Sequence, residues 1–173
     1  LTILIFVAML GACTKQRAVV APERPTETTT ASTNGQQPLL GGTNPADSLV
    51  ISLQRTPCFG TCKAYTINVY RSGRATYFGH SHVQLEGAYQ AQIGADTIQR
   101  IITDAEKSGF YQFQDKYDRE VTDLPSSILR VVANGKDKRV VARVGTPESF
   151  KQLFGRVEEL LFPVVWTPVQ KAQ

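Results

Sequence analysis

The stretch Arg55-Thr56-Pro57-Cys58-Phe59-Gly60-Thr61-Cys62 sets two thiols apart by three residues, with a proline ahead of the first. Three chemistries use such a pair. Joined, the sulfurs make a covalent staple; as thiolates they attack other disulfides, or hold a soft ion such as Cu(I). A thiol–disulfide exchange site of the thioredoxin type has two residues between its cysteines and a helix whose N-terminus lowers the nucleophile's pKa. Here the spacer is three residues and a strand pattern follows, which weighs against exchange chemistry. Copper is the stronger rival. The only two histidines, His80 and His82, are two positions apart, so on a strand they would share a face and could complete a set with Cys58 and Cys62. Against copper, the same pair at a strand end serves equally as exposed polar residues. For the staple, Pro57 and Gly60 favour a tight turn, able to bring the two Cα atoms within the ~4.4–6.8 Å a disulfide spans.

Other polar groups invite the same weighing. The segment "QDKYDREVTD" offers Asp115, Asp118, Glu120 and Asp123. Calcium wants several converging oxygens and often a glycine for the sharp turn. This segment has no glycine, and Lys116 and Arg119 interrupt it, so it reads as a solvated charged loop. Arg55 and Asp123 both belong to the family resemblance that the cysteine run carries, which makes them candidates for a structural ion pair or a ligand clamp, a planar guanidinium being able to hold a carboxylate through two hydrogen bonds. No Gly-rich phosphate loop, Ser-His-Asp set or paired-carboxylate context stands out. The sequence therefore nominates no catalytic residue and no cofactor, copper remaining the alternative. The aromatics Tyr65, Tyr77, Phe110, Tyr111 and Phe113 are read as core.

The N-terminus weighs on the readings of the thiols. "LTILIFVAMLGACTK" leads an apolar run into Leu10-Gly11-Ala12-Cys13, which resembles a bacterial lipobox: an aliphatic residue, two small ones, then the cysteine that takes the lipid. The run is shorter than the ~18 apolar residues of a spanning helix and suits a signal-peptide core. It opens at Leu1 without a methionine or basic stretch, and Met9 lies inside the run, so its start is read as truncated. With Cys13 lipidated, Cys58 and Cys62 remain as an even pair in an oxidising compartment, and a disulfide becomes the leading expectation. Residues 13–46, rich in Thr, Pro, Gln, Gly and Ala, carry no apolar period. They cannot bury enough surface to offset the ~1–2 kcal/mol per residue of backbone ordering, and are read as a disordered tether. The expected location is the bacterial cell envelope, lipid-anchored, facing the periplasm or the outer surface. The partners expected are the membrane, through Cys13, and an envelope protein or other envelope component.

Residues 47–163 must then position the cysteine motif, with 164–173 as a tail. The formal charge of +4 is mild and acids are interleaved with bases, which argues against nucleic acid. Leu49, Ile51 and Leu53 alternate on one strand, and Tyr65, Ile67 and Val69 on the next. "RSGR" turns that strand into Ala75–Gly79, and a further strand lies within His82–Ile93, where Gly87 is a candidate bulge. Ile98, Ile101, Ile102 and Ala105 then form a helical stripe ending near Gly109. "SSILRVVA" and "KRVVARV" are two strands joined by Asn134-Gly135, a hairpin signal. Thr146-Pro147-Glu148 looks like a cap, a first-turn proline and an acid. Phe150, Leu153, Phe154, Val157, Leu160 and Leu161 follow as the second stripe, and Pro163 stops it. The expected fold is α+β: an antiparallel sheet of about five to six strands, ordered β-β-β-(β)-α-β-β-α, with two helices on one face.

From Leu49 to Leu161 the chain resembles a family of bacterial domains of unknown function often found in secreted or lipid-anchored proteins. The Arg-Thr-Pro-Cys-Phe-Gly-x-Cys run followed by Tyr65 carries the resemblance, with Phe110, Tyr117 and Thr122-Asp123 as weaker matches. It implies a fold and a compartment and brings no activity. Many members carry proline directly after the second cysteine, where this chain has Lys63.

Overall fold

The computed structural model describes residues 47–119 and 123–170. The leader, Cys13, the tether, Glu120, Thr122 and residues 171–173 lie outside the described residues.

Eight strands form one sheet. In chain order they are β1 (Leu49–Arg55), β2 (Ala64–Tyr70), β3 (Arg74–Ser81), β4 (Gly87–Gln92), β5 (Lys116–Tyr117), β6 (Ser127–Ala133), β7 (Lys136–Ala142) and β8 (Thr167–Pro168). Helix α1 (Ala95–Lys107) falls between β4 and β5, and α2 (Glu148–Leu161) between β7 and β8. A single 3-10 turn, Phe110–Gln112, follows α1. The strand order is β5-β7-β6-β1-β2-β3-β4-β8. Every pairing is antiparallel except β5 with β7. β1 to β4 are a meander, and the β6–β7 hairpin adds to the free side of β1. The connection through each helix takes the chain from one side of the sheet to the other.

The alternation of the sequence explains which face is covered. Ile51, Leu53, Tyr65, Ile67, Val69, Ala75, Tyr77, Leu129, Val131, Val140 and Ala142 turn to one side and are buried. There they meet Ile101, Ile102 and Ala105 of α1, and Phe150, Leu153, Phe154, Val157 and Leu161 of α2, in one core. Ser52, Gln54, Thr66, Asn68 and Thr76 alternate to the other face and stay partly exposed. An antiparallel sheet tolerates this one-sided wetting because hairpins, unlike crossover helices, do not cover its second face. Among the described residues no helix is long and apolar enough to cross a membrane.

Local chemistry sets the turns. Asn134 and Gly135 take φ of 52° and 72°, the doubly positive pair that matches a two-residue turn to the twist of its strands. At α2 the expected cap differs. Pro147, extended at φ −56° and ψ 143°, is itself the cap; the helix begins at Glu148, and no side chain caps it. The amides of Phe150 and Lys151 donate to the Pro147 carbonyl, so Thr146 is left out of the helix start. Two strands were not expected. β5 pairs with Val141 and Ala142 at one edge. β8 falls in the segment read as a tail and pairs with Tyr89 and Gln90 at the other.

Candidate functional site

The segment between β1 and β2 is where the cysteines lie, and the sheet fixes its two ends. Arg55 closes β1 and is paired across the ladder with Tyr65 on one side and Ser127 on the other. Beyond it, the Thr56 amide donates to the Ser126 carbonyl at 3.0 Å. The Ser126 amide returns a bond to Thr56 Oγ1 at 2.8 Å. Cys58 and Cys62 form a disulfide with their Cα atoms 5.7 Å apart. Inside the ring the Gly60 amide donates to Cys58 Sγ at 3.2 Å. The loop is therefore tied to β6 at its entry, closed on itself by sulfur, and fed directly into β2.

Beneath it lies a polar network on the covered face. Arg55 grips Glu158 of α2 through two hydrogen bonds, Nε to Oε1 at 2.8 Å and Nη2 to Oε2 at 2.9 Å. Arg55 Nη1 also reaches Ser127 Oγ at 3.4 Å, and the guanidinium carbon stands 4.8 Å from the centre of the Phe154 ring. The Tyr65 hydroxyl donates to Oε1 of the same carboxylate. Tyr65 is fully buried, its ring edge-on to Phe162 at 5.0 Å and stacked on Tyr77 at 6.3 Å. The hydrogen bonds it donates to Glu158 raise the pKa of Arg55, so the guanidinium stays charged. Burial first, and then the bond to Glu158, push the Tyr65 phenol well above its ordinary 10. One carboxylate thus receives three donors from the two strands that frame the loop. Fork-shaped, charge-assisted pairs of this kind fix geometry as well as contributing energy.

The sequence-predicted residues sort out as follows. Arg55 takes its carboxylate from Glu158 and not from Asp123. Asp123 is exposed with a left-handed backbone, φ 73°, on the stretch leading into β6. Its side chain is on the surface, whereas Arg55 points to the covered face, where α2 lies. Glu158 is the residue that sequence reading missed, although a signal exists. It stands four residues after Phe154 and three before Leu161, so a carboxylate occupies the apolar stripe of α2.

The copper set is not assembled. The two sulfurs are bonded to each other and offer no thiolate. His80 Nε2 lies 3.2 Å from Thr66 Oγ1 on the open face of the sheet, its ring 4.8 Å from that of Phe78. His82 falls after the end of β3 with φ 54°, so the strand alternation that would have placed it beside His80 is broken. Among the described residues no three His, Cys, Asp or Glu side chains gather to hold a metal. In the acidic segment, Asp115 pairs with Lys138, and Asp118 with Lys116 at 3.1 Å and Arg143 at 3.8 Å.

What the loop displays is Phe59, whose side chain is 93% exposed. Pro57, Gly60, Thr61 and Lys63 are exposed around it, and the cysteines are half-buried. A comparison with curated proteins finds no match. A family of domains of unknown function does match, over residues 49–161, from the first residue of β1 to the last of α2. The match takes in the cysteine loop, Arg55, Tyr65 and Glu158 together, and the chain belongs to that family, DUF6438.

Proposed function

We propose that this chain is a lipid-anchored module of the bacterial envelope that acts by binding and not by catalysis. The observation that carries the binding role is the Glu158 carboxylate. Its two oxygens take hydrogen bonds from Arg55, the last residue of β1, and Tyr65, the second of β2, on either side of the cysteine loop. The groups at this end with the greatest chemical potential, two sulfurs, a guanidinium, a phenol and a carboxylate, are committed to holding a loop in place. A binding surface benefits from this, because a contact ordered in advance loses less entropy on association. The anchoring half of the proposal rests on Leu10-Gly11-Ala12-Cys13 and on the composition of residues 13–46. Several acyl chains on Cys13 would hold the module to the membrane more firmly than one, which by itself binds only reversibly.

Both halves are tested in one set of cells. The chain is expressed behind a complete signal peptide with labelled fatty acid supplied, then cross-linked in the intact envelope and purified. Label should enter the wild-type chain and be lost from Cys13→Ser; label retained in that variant would end the anchoring half. Arg55→Ala should lose the cross-linked envelope component while remaining lipid-labelled. Identical cross-linked species from wild type and Arg55→Ala would remove the loop from the binding role.

A further inference from the structure

Phe59 differs from every other Phe, Tyr and Trp ring among the described residues. Phe162 and Phe78 are next, at 39% and 37% exposed, and both touch neighbouring rings. Phe59, at 93%, has no ring contact. An exposed apolar side chain by itself is ordinary. The support beneath this one is not. Pro57 restricts the backbone ahead of it, the disulfide closes the ring around it, and Thr56 and Ser126 lock the entry with two reciprocal hydrogen bonds. The Arg55–Glu158–Tyr65 network then fixes the strands on which the ring stands.

We infer that Phe59 is the anchor of a protein–protein contact: an aromatic side chain, carried on a pre-ordered loop, that enters an apolar pocket on an envelope protein. The inference rests on the binding role proposed above and names the residue and the partner class. Interfaces concentrate their energy in a few aromatic or arginine anchors that fill well-packed pockets. Fixing the backbone that carries such an anchor lowers the entropy lost on docking. A pocket has a fixed shape, so this pre-ordering matters to it. A bilayer is fluid and has no shape to match, and surface binding to it draws on a broad apolar face backed by several basic residues. The loop from Pro57 to Lys63 offers one exposed ring and one cation, Lys63. That combination suits a pocket whose rim can accept a hydrogen bond from the ammonium.

The test uses the full anchored chain with p-benzoylphenylalanine, a photo-cross-linking amino acid, in place of Phe59, and in a second chain in place of Gln92 as a reference. Irradiation of intact cells should give a discrete protein adduct from position 59 and not from position 92. Excess wild-type chain added to envelope membranes should compete that adduct away. Phe59→Ala should compete about tenfold more weakly, and Phe59→Trp nearly as well as wild type. Because the ring touches so little of its own domain, Phe59→Ala should melt with the wild type, which separates lost contact from lost folding. No adduct above the reference, or equal competition by Phe59→Ala, overturns the inference. So does an adduct with lipid or with a second copy of this chain. Were Arg55→Ala to lose its cross-linked component while Phe59→Ala competed normally, the binding role would stand and the Phe59 assignment would fall.

Discussion

Glu158 occupies a helix position where the apolar period calls for leucine, and from there its carboxylate reaches the ends of two strands. Removing one of its donors has a definite pH signature. Tyr65→Phe deletes a single buried hydroxyl bonded to a carboxylate and should lower stability near neutral pH by about 2 kcal/mol, the usual worth of a hydrogen bond to a charged group. In the folded protein the phenol's pKa lies above its ordinary 10, through burial and the bond to Glu158. The folded state therefore keeps a proton that the unfolded chain releases. The resulting stability is complete below pH 10 and declines as pH rises through and beyond that value. Urea midpoints measured from about pH 8 to 11 should fall more steeply for wild type than for Tyr65→Phe. Tyr77 and Tyr111, also raised by burial, leave the variant a residual slope. Equal slopes would show that the phenol does not share the carboxylate. Tyr65 was legible as a core aromatic and Arg55 as one half of an ion pair. The other half was assigned to Asp123, since nothing local in a sequence says which element will face a strand end across about a hundred residues of chain.

Elements with a strong period were readable and elements without one were not. The meander, both helices and the Asn134-Gly135 hairpin each announce themselves through alternation, a helical stripe or turn residues. β5 and β8, at two residues each, are too short to show a period. They exist only because their neighbours' free edges are there to pair with. The loop between β3 and β4 is set by a different kind of fit. Its backbone passes so close to β3 that a Cβ at Gly79 would stand 1.9 Å from the Leu85 carbonyl oxygen and 2.8 Å from a Val83 methyl. The nearest obstacle is backbone, which cannot rotate away. Gly79→Ala should therefore destabilise by about 3 kcal/mol, at the upper end of overpacking, as read by chemical denaturation. Wild-type stability in that variant would mean the loop is free to lift. His82, with its left-handed backbone, starts this same loop, so the strand alternation that would set it beside His80 ends before it.

At the scale of the molecule, two helices and the inward residues of the sheet share one core, so this part of the chain should unfold as a unit. Trp166, the one tryptophan, packs 5.4 Å from Tyr77 at the β8 side and reports on it. Its fluorescence and the far-ultraviolet circular dichroism should follow the same urea transition. Against that baseline the disulfide is a modest contributor. The ring from Cys58 to Cys62 is small, and closing so short a loop removes little freedom from the unfolded chain, about 2 kcal/mol. Joint replacement of Cys58 and Cys62 by serine should lower stability by roughly that amount and leave a cooperative transition. Free thiols found by mass spectrometry in unreduced chain from an oxidising compartment would remove the staple altogether. The edges of the sheet carry one more consequence. β7 is covered by β5 only at Val141 and Ala142, and the rest of it is four charged residues, Lys136 to Arg139, and the core residue Val140. At the opposite edge β8 is two residues long and contains Pro168, which has no amide hydrogen to offer. Among the described residues both borders of the sheet are thus short, charged or proline-bearing, which disfavours continuing the sheet from one molecule into the next as a fibril.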